Sequence, residues 1–304
     1  MSCRSWGWVL VCLLGISGCK SSSDDGGGAV SLYDRMTAAR EIADPLDRAT
    51  ALIEVGNIYA AAEDRTGAKN SLRYATEAAD AVNLEAAAAD RARVHISLAD
   101  AWNAAGISDE CEDAYEEAED ALDKVDTIAD KSDILIRLAL LKIKIQEADA
   151  AIKDLQAAES LTPQIGDDYE KVTNLAWVSY GYAKMENGDE ANRAMAAAMA
   201  IADGQQKPGD KARLKAQVGS EQIASLSDRE AGLATLADAL TIARSIEGNP
   251  NLRANVLVDV AETYVKVSDP TTARQILTEA QDLVRGLSEG KPVLRRIDTI
   301  RQRL

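Results

Sequence analysis

The chain has 304 residues, a formal net charge of −16 and no phenylalanine. A charge of this sign disfavours general binding to nucleic acid or to an anionic lipid surface, because both are negatively charged. The many alanines and the six prolines are typical of a closely packed helical array.

Residues 1–18 have the pattern of a secretion signal. Arg4 supplies a positive charge, and an apolar run follows at residues 6–16, too short to cross a bilayer as a helix. The run leads into ISGC at residues 16–19, which resembles the lipobox of bacterial lipoproteins. The resemblance implies cleavage after residue 18 and lipid on Cys19. The alternative is an ordinary secretion signal followed by a chance cysteine.

A polar linker follows the cysteine. The sequence KSSSDDGGG at residues 20–28 cannot pack into a core. We therefore predict that residues 19–30 hold the lipidated Cys19 and a flexible tether, since two or three acyl chains anchor a protein firmly to a membrane. By resemblance to Gram-negative lipoproteins, Lys20 implies the outer membrane of the cell envelope, facing the periplasm.

Residues 31–304 carry a pattern of small and large residues that recurs about every 40 positions. The small residues would let two consecutive helices approach closely, and the large ones would fill the space beside them. One copy consists of Ala261, Tyr264, Ala273, Leu277 and Ala280. The first small residue of the six copies is, in order, Gly56, Ala99, Ala139, Ser179, Ser220 and Ala261.

Turn and capping residues divide the pattern into units. A half repeat at residues 31–43 ends before Asp44-Pro45, and Pro250 and Pro270 suit the first turns of later helices. The predicted pairs cover about 48–82, 86–125, 130–165, 168–205, 210–247 and 251–287, with a terminal helix at 293–304.

The spacing resembles the tetratricopeptide repeat. That resemblance implies an all-α, right-handed α-α superhelix of about six helix pairs with flanking half repeats. Each copy is several residues longer than the family's unit, and Lys142 stands where the family usually has an aromatic residue.

In that family, first-helix residues that point away from the second helix line a concave groove. The resemblance places there Arg137, Leu140, Ile143, Lys144, Trp177, Tyr180 and Lys184 from copies three and four. Such cations and rings would suit an acidic or C-terminal peptide segment of a partner protein. The other copies offer Glu54, Asn57, Glu221, Asp259 and Glu262. The alternative is that all of these are ordinary solvated residues.

The second copy contains a strongly acidic stretch. Its acids include Asp109, Glu110, Glu112, Asp113, Glu116, Glu117, Glu119 and Asp120. A solvated helix face explains them, and a patch for a basic partner or a divalent cation are the alternatives. A calcium loop needs a turn glycine and alternating oxygen ligands, which this helical stretch lacks.

The sequence offers little for catalysis. His95 is the only histidine, and Cys111 is the one cysteine beyond Cys19, at a small-residue packing position. We therefore predict no enzymatic activity, no metal site and no cofactor apart from the lipid.

The pattern as a whole favours a membrane-anchored scaffold that binds partner proteins in its groove. Two alternatives belong to other classes: a module that binds an envelope glycan through Trp177 and Tyr180, and an acidic metal-binding surface. We expect no nucleic acid and no small-molecule substrate.

Overall fold

A computed structural model describes residues 30–304 as an array of helices. The predicted signal at 1–18, Cys19 and all but the last residue of the predicted tether lie outside the described residues. Within 30–304, no helix combines the length and the apolar character that a membrane span requires.

The helices are arranged in six pairs between two flanking helices, α1 (Leu32–Arg40) and α14 (Lys291–Arg301). The first helices are α2 (Pro45–Ala61), α4 (Leu84–Ala104), α6 (Ile128–Lys144), α8 (Asp168–Lys184), α10 (Pro208–Ser225) and α12 (Pro250–Lys266). The second helices are α3 (Arg65–Asp80), α5 (Ser108–Leu122), α7 (Ala148–Leu161), α9 (Gly188–Asp203), α11 (Arg229–Arg244) and α13 (Pro270–Val284).

Side-chain caps fix where many of these helices begin. Asp44, Asn83 and Thr127 each accept hydrogen bonds from backbone N–H groups in the first turn of the helix that follows. Prolines also lie in the first turns of α2, α12 and α13, where their missing N–H costs nothing.

The small residues lie where the two helices of a pair meet. Ala99 and Ala139 are fully buried, and the Ser179 hydroxyl donates to the carbonyl oxygen of Ala191 at 2.8 Å. Among residues 30–304, Trp102 and Tyr182 have the largest fully buried side chains. Close contact between small residues, with a large ring beside it, therefore builds the core of each pair.

Copy five differs from the sequence prediction by one residue. Ser220 is only half-buried, and Gly219 takes the tight position against the second helix. The cause is one extra residue before the turn. The Asp228 N–H donates to the carbonyl oxygen of Gln222, six residues back, whereas Asn187 in copy four donates to Tyr182, five residues back.

Each turn within a pair contains one residue with a left-handed backbone. These residues are Glu63, Gly106, Gln146, Glu186, Ser227 and Ser268, with φ between 56° and 70°. Only the second copy has glycine there, so five of these turns hold a side chain in a region that favours glycine.

The first helices pack side by side along the array, and each second helix also contacts the first helix of the following pair. The first helices thus share one continuous surface. We name the part of α2, α4, α6, α8, α10 and α12 that is turned away from the second helices the first-helix face. The prediction of an all-α solenoid of helix pairs is confirmed.

Candidate binding face on the first helices

Two aromatic rings and a lysine form a cluster on α8. Trp177, Tyr180 and Lys184 follow one another at spacings of three and four, which puts them on one side of a helix. The Trp177 and Tyr180 rings meet edge to face, with centroids 5.5 Å apart and an angle of 85° between their planes. The Lys184 ammonium lies 5.1 Å from the centre of the Tyr180 ring. We name these three residues the α8 cluster.

The two other cations predicted for the groove are paired with carboxylates. Arg137 Nε donates to Asp133 Oδ1 at 3.0 Å on the same helix. Lys144 Nζ reaches back to Asp100 on α4 at 2.7 Å. Arg137 and Lys144 therefore lie on the first-helix face, but carboxylates of the same face neutralise much of their charge.

Similar polar bridges join other neighbouring first helices. Arg93 on α4 donates from Nε to Asp133 on α6 at 2.9 Å. Arg213 on α10 bonds Asp259 on α12 at 2.6 Å, and Arg296 on α14 bonds Asp259 at 2.8 Å. Arg296 also reaches Glu262 at 3.0 Å. The Arg93 and Arg213 pairs link consecutive first helices, and Arg296 links α12 to the terminal helix α14.

Three other predicted groove residues, Glu54, Asn57 and Glu221, belong to different copies of the repeat from the α8 cluster. Glu54 and Asn57 are exposed on α2, at the start of the array. Glu221 on α10 is half-buried, and burial raises the pKa of its carboxyl group, against the opposing effect of Lys266. The face is therefore electrostatically uneven, as expected for a surface that combines cations with these acids.

The acidic stretch forms most of α5. Six of its predicted acids are exposed to solvent: Asp109, Glu112, Asp113, Glu116, Glu117 and Asp120. Glu117 bonds Arg91 at 2.9 Å, and Glu119 bonds Lys142 at 2.6 Å. Glu110 is half-buried. Glu117 and Glu119 thus also link neighbouring helices, and the other exposed acids form a solvated surface.

Neither of the two reactive side chains predicted to be inert is exposed. Cys111 is buried at its packing position, and burial raises the pKa of its thiol, which suppresses the nucleophilic thiolate. His95 is fully buried within α4. We predicted no metal site, yet His95 lies together with Asp80 and Glu117. Sequence reasoning missed this group because its members come from three different helices.

Comparisons with known proteins give structural likenesses only. No model of a protein family matches the chain, and no curated protein matches it. Aspartyl phosphate phosphatase F from Bacillus subtilis aligns with 85% of this chain at 13% identity and a TM-score of 0.41, and this chain spans 65% of its length. The apo form of RapI aligns with 84% of this chain, over 93% of its own length, at 14% identity and a TM-score of 0.39.

A third likeness is to a signal-transduction ATPase with a tetratricopeptide-repeat sensor, from Pyrococcus horikoshii. It aligns with 86% of this chain, over 42% of its own length, at 15% identity and a TM-score of 0.33.

Proposed function

We propose that this protein is a membrane-anchored scaffold that binds an extended segment of a partner protein on the first-helix face, at the α8 cluster. The observation that supports this most directly is the juxtaposition of Trp177, Tyr180 and Lys184. Tryptophan and tyrosine are among the side chains that most often anchor a protein partner. The proposal includes neither catalysis nor a catalytic cofactor.

The chemistry of the cluster favours a partner segment with a carboxylate. Lys184 is exposed at the end of α8, so a side-chain or C-terminal carboxylate can approach it from solvent. Apolar groups of the same segment would then pack against Trp177 and Tyr180. Arg137 and Lys144 would help only by exchanging the carboxylates that they already bind.

A sugar ring suits this cluster less well than a peptide does. Carbohydrate sites generally use an exposed ring face as a platform. Trp177 and Tyr180 are almost perpendicular, at 85°, so the two rings do not form one flat surface. Edge-to-face is one of the geometries that aromatic rings prefer in protein cores and interfaces, so this pair suits contact with apolar side chains.

The proposed membrane anchor rests on the sequence alone. We propose that Cys19 carries lipid and that residues 20–30 tether the helical array to the outer membrane, on the periplasmic side. Labelling cells with an alkyne-tagged fatty acid tests this. We expect label on the wild-type chain and none on Cys19→Ala, and equal labelling of the two would refute the anchor.

Site-specific cross-linking tests the binding face. A photo-reactive residue replacing Trp177 should capture a discrete partner protein in cells, and Lys184→Glu should abolish that capture. The matched control is Lys153→Glu, an equal charge change at an exposed position of α7, a second helix. Capture that survives Lys184→Glu, or that is equally efficient from position 57 on α2, would contradict the assignment to the α8 cluster.

A further inference from the structure

Two groups of four charged or titratable residues occupy equivalent places in copies two and five. We name Asp80, Arg91, His95 and Glu117 the His95 cluster, and Asp203, Lys211, Lys215 and Asp238 the Lys215 cluster. His95 lies four residues before Ala99, and Lys215 lies four residues before Gly219, which takes the tight position in copy five. Asp80 and Asp203 end the preceding second helices, α3 and α9.

In the Lys215 cluster, the positive charges of two lysines neutralise two carboxylates. Lys215 Nζ lies 2.8 Å from Asp203 Oδ1 and 2.5 Å from Asp238 Oδ2. Lys211 Nζ donates to the backbone carbonyl oxygen of Asp203 at 2.9 Å and lies 3.6 Å from its carboxylate. The cluster is therefore electrically balanced and joins α9, α10 and α11.

In the His95 cluster, arginine takes the role of Lys211. Arg91 Nη1 donates to the carbonyl oxygen of Asp80 at 2.8 Å. Its Nη2 bonds Glu117 at 2.9 Å and lies 3.8 Å from the Asp80 carboxylate. Histidine replaces the second lysine, so only one permanent positive charge, that of Arg91, faces the two equivalent carboxylates.

The imidazole of His95 has no hydrogen-bond partner within residues 30–304. The residue is 0% exposed, and neither Nδ1 nor Nε2 forms a hydrogen bond there. Nε2 points to the carboxylates and lies 3.6 Å from Asp80 Oδ1. A buried polar atom without a partner is costly, so both ring nitrogens remain available to bind a further group.

The buried His95 ring is chemically suited to bind a metal ion. Burial lowers the pKa of His95, and the nearby Arg91 lowers it further, against the opposing charges of Asp80 and Glu117. A neutral imidazole keeps a lone pair on one nitrogen, which is the form that binds metal ions. Arg91 is thus the one permanent positive charge beside two carboxylates and a buried nitrogen donor.

We propose that the His95 cluster binds a divalent transition-metal ion of the zinc class, through His95 Nε2 and one carboxylate oxygen each from Asp80 and Glu117. One imidazole and two carboxylates are a ligand set that zinc accepts, with a fourth position left for water. The three donor atoms already lie within 4.8 Å of one another. Zinc–ligand bonds of about 2.1 Å require the donor atoms to lie about 3.4 Å from one another.

The Asp80 and Glu117 side chains can move close enough to His95 to bind one ion, and the ion can reach them. The Asp80 and Glu117 side chains are 52% and 48% exposed, so they can rotate inward and an ion can enter from solvent. Arg91 would release Glu117 but keep its bonds to the backbone carbonyl oxygens of Asp80 and Val82. A bound ion would then join α3, α4 and α5, as Lys215 joins α9, α10 and α11.

Zinc titration of the tag-free full chain in detergent tests the proposal by calorimetry. We expect one zinc ion per chain, and at least about tenfold weaker binding in His95→Leu because the nitrogen ligand is removed. Leucine is compatible with folding there, because the equivalent residues of the other copies include Leu52, Leu135, Leu175 and Leu257. The control Glu112→Gln changes an exposed acid of α5 and should leave zinc binding unchanged.

A gain-of-function variant makes the test sharper. Lys215→His reproduces the His95 arrangement between Asp203 and Asp238, so the variant should bind two zinc ions per chain. Zinc binding that is absent, or equal in the wild type and His95→Leu, would overturn the proposal. So would stabilisation of the wild type by acid alone, lost in His95→Leu and indifferent to zinc, because a proton would then be the missing cation.

Discussion

Gly219 on α10 lies so close to Gly232 on α11 that a Cβ on Gly219 would be 2.8 Å from the Gly232 carbonyl oxygen. The same Cβ would lie 3.2 Å from the backbone nitrogen of Leu236. These backbone atoms of α11 cannot move away from Gly219 unless α10 and α11 separate.

Replacing Gly219 therefore tests the register of copy five. We expect Gly219→Ala to lower the free energy of unfolding by about 2 kcal/mol through overpacking. Ser220→Ala, at the half-buried neighbour, should change it by less than about 0.5 kcal/mol. Urea unfolding followed by circular dichroism measures both. Equal effects of the two substitutions would mean that Ser220 shares the tight contact.

The non-glycine turn residues with a left-handed backbone should be strained, and replacement by glycine should relieve that strain. At Glu186, φ is 59°, whereas the equivalent residue of copy two is Gly106. We expect Glu186→Gly to raise the free energy of unfolding by roughly 0.5–1 kcal/mol, because the relief of strain exceeds the entropy cost of glycine. The reverse change, Gly106→Ala, meets no atom within 4 Å, so its cost of about 1 kcal/mol would be conformational alone. A loss of stability in Glu186→Gly would contradict this account.

Lys142 links two second helices through a nearly buried ammonium group. Its Nζ bonds Glu119 on α5 at 2.6 Å and Asp154 on α7 at 2.8 Å. Asp154 is itself mostly buried, and desolvation raises the pKa of its carboxyl group although Lys142 opposes this.

Removing the ammonium should leave that carboxylate uncompensated. We expect Lys142→Ala to cost about 2 kcal/mol of unfolding free energy, less than a fully buried pair because Glu119 is partly exposed. Lys142→Met, which keeps most of the aliphatic stem, separates packing from charge, and Lys153→Ala at an exposed site of α7 is the control. Wild-type stability in both Lys142 variants would show that the ion pairs contribute nothing net.

Glu221 should make stability depend on pH in a defined direction. Burial raises the pKa of its carboxyl group above the ordinary value of 4.5, so the folded chain holds the proton more tightly than the unfolded chain does. The resulting stability is fully present below pH 4.5 and is lost as the pH rises through the folded pKa. We expect Glu221→Gln to be more stable than the wild type at pH 7 and to lose that advantage at pH 4.5. Urea midpoints at the two values measure it, and a difference independent of pH would refute the argument.

The sequence alone is sufficient to predict the helix pairs. Asp44, Asn83 and Thr127 cap helices through atoms only two or three residues away. The small-residue pattern follows from the period of a single helix. Such features depend on local geometry, which one chain segment determines by itself.

The candidate sites could be predicted only in part. The α8 cluster follows from helical spacing, because its members share one helix. The pairing of Lys144 with Asp100, 44 residues away, depends on how far each first helix is displaced along its neighbour. The pattern therefore indicates which face Lys144 occupies, but leaves open the carboxylate that it binds.

Copy five and the His95 cluster show what only the tertiary structure decided. One residue added before Ser227 moves the tight contact from Ser220 to Gly219, because the turn fixes the depth at which α11 meets α10. The meeting of Asp80, His95 and Glu117 likewise depends on three helices packing together. Local preferences thus determined the helices and their faces, whereas the long-range contacts came from packing, which depends on the lengths of all the intervening turns at once.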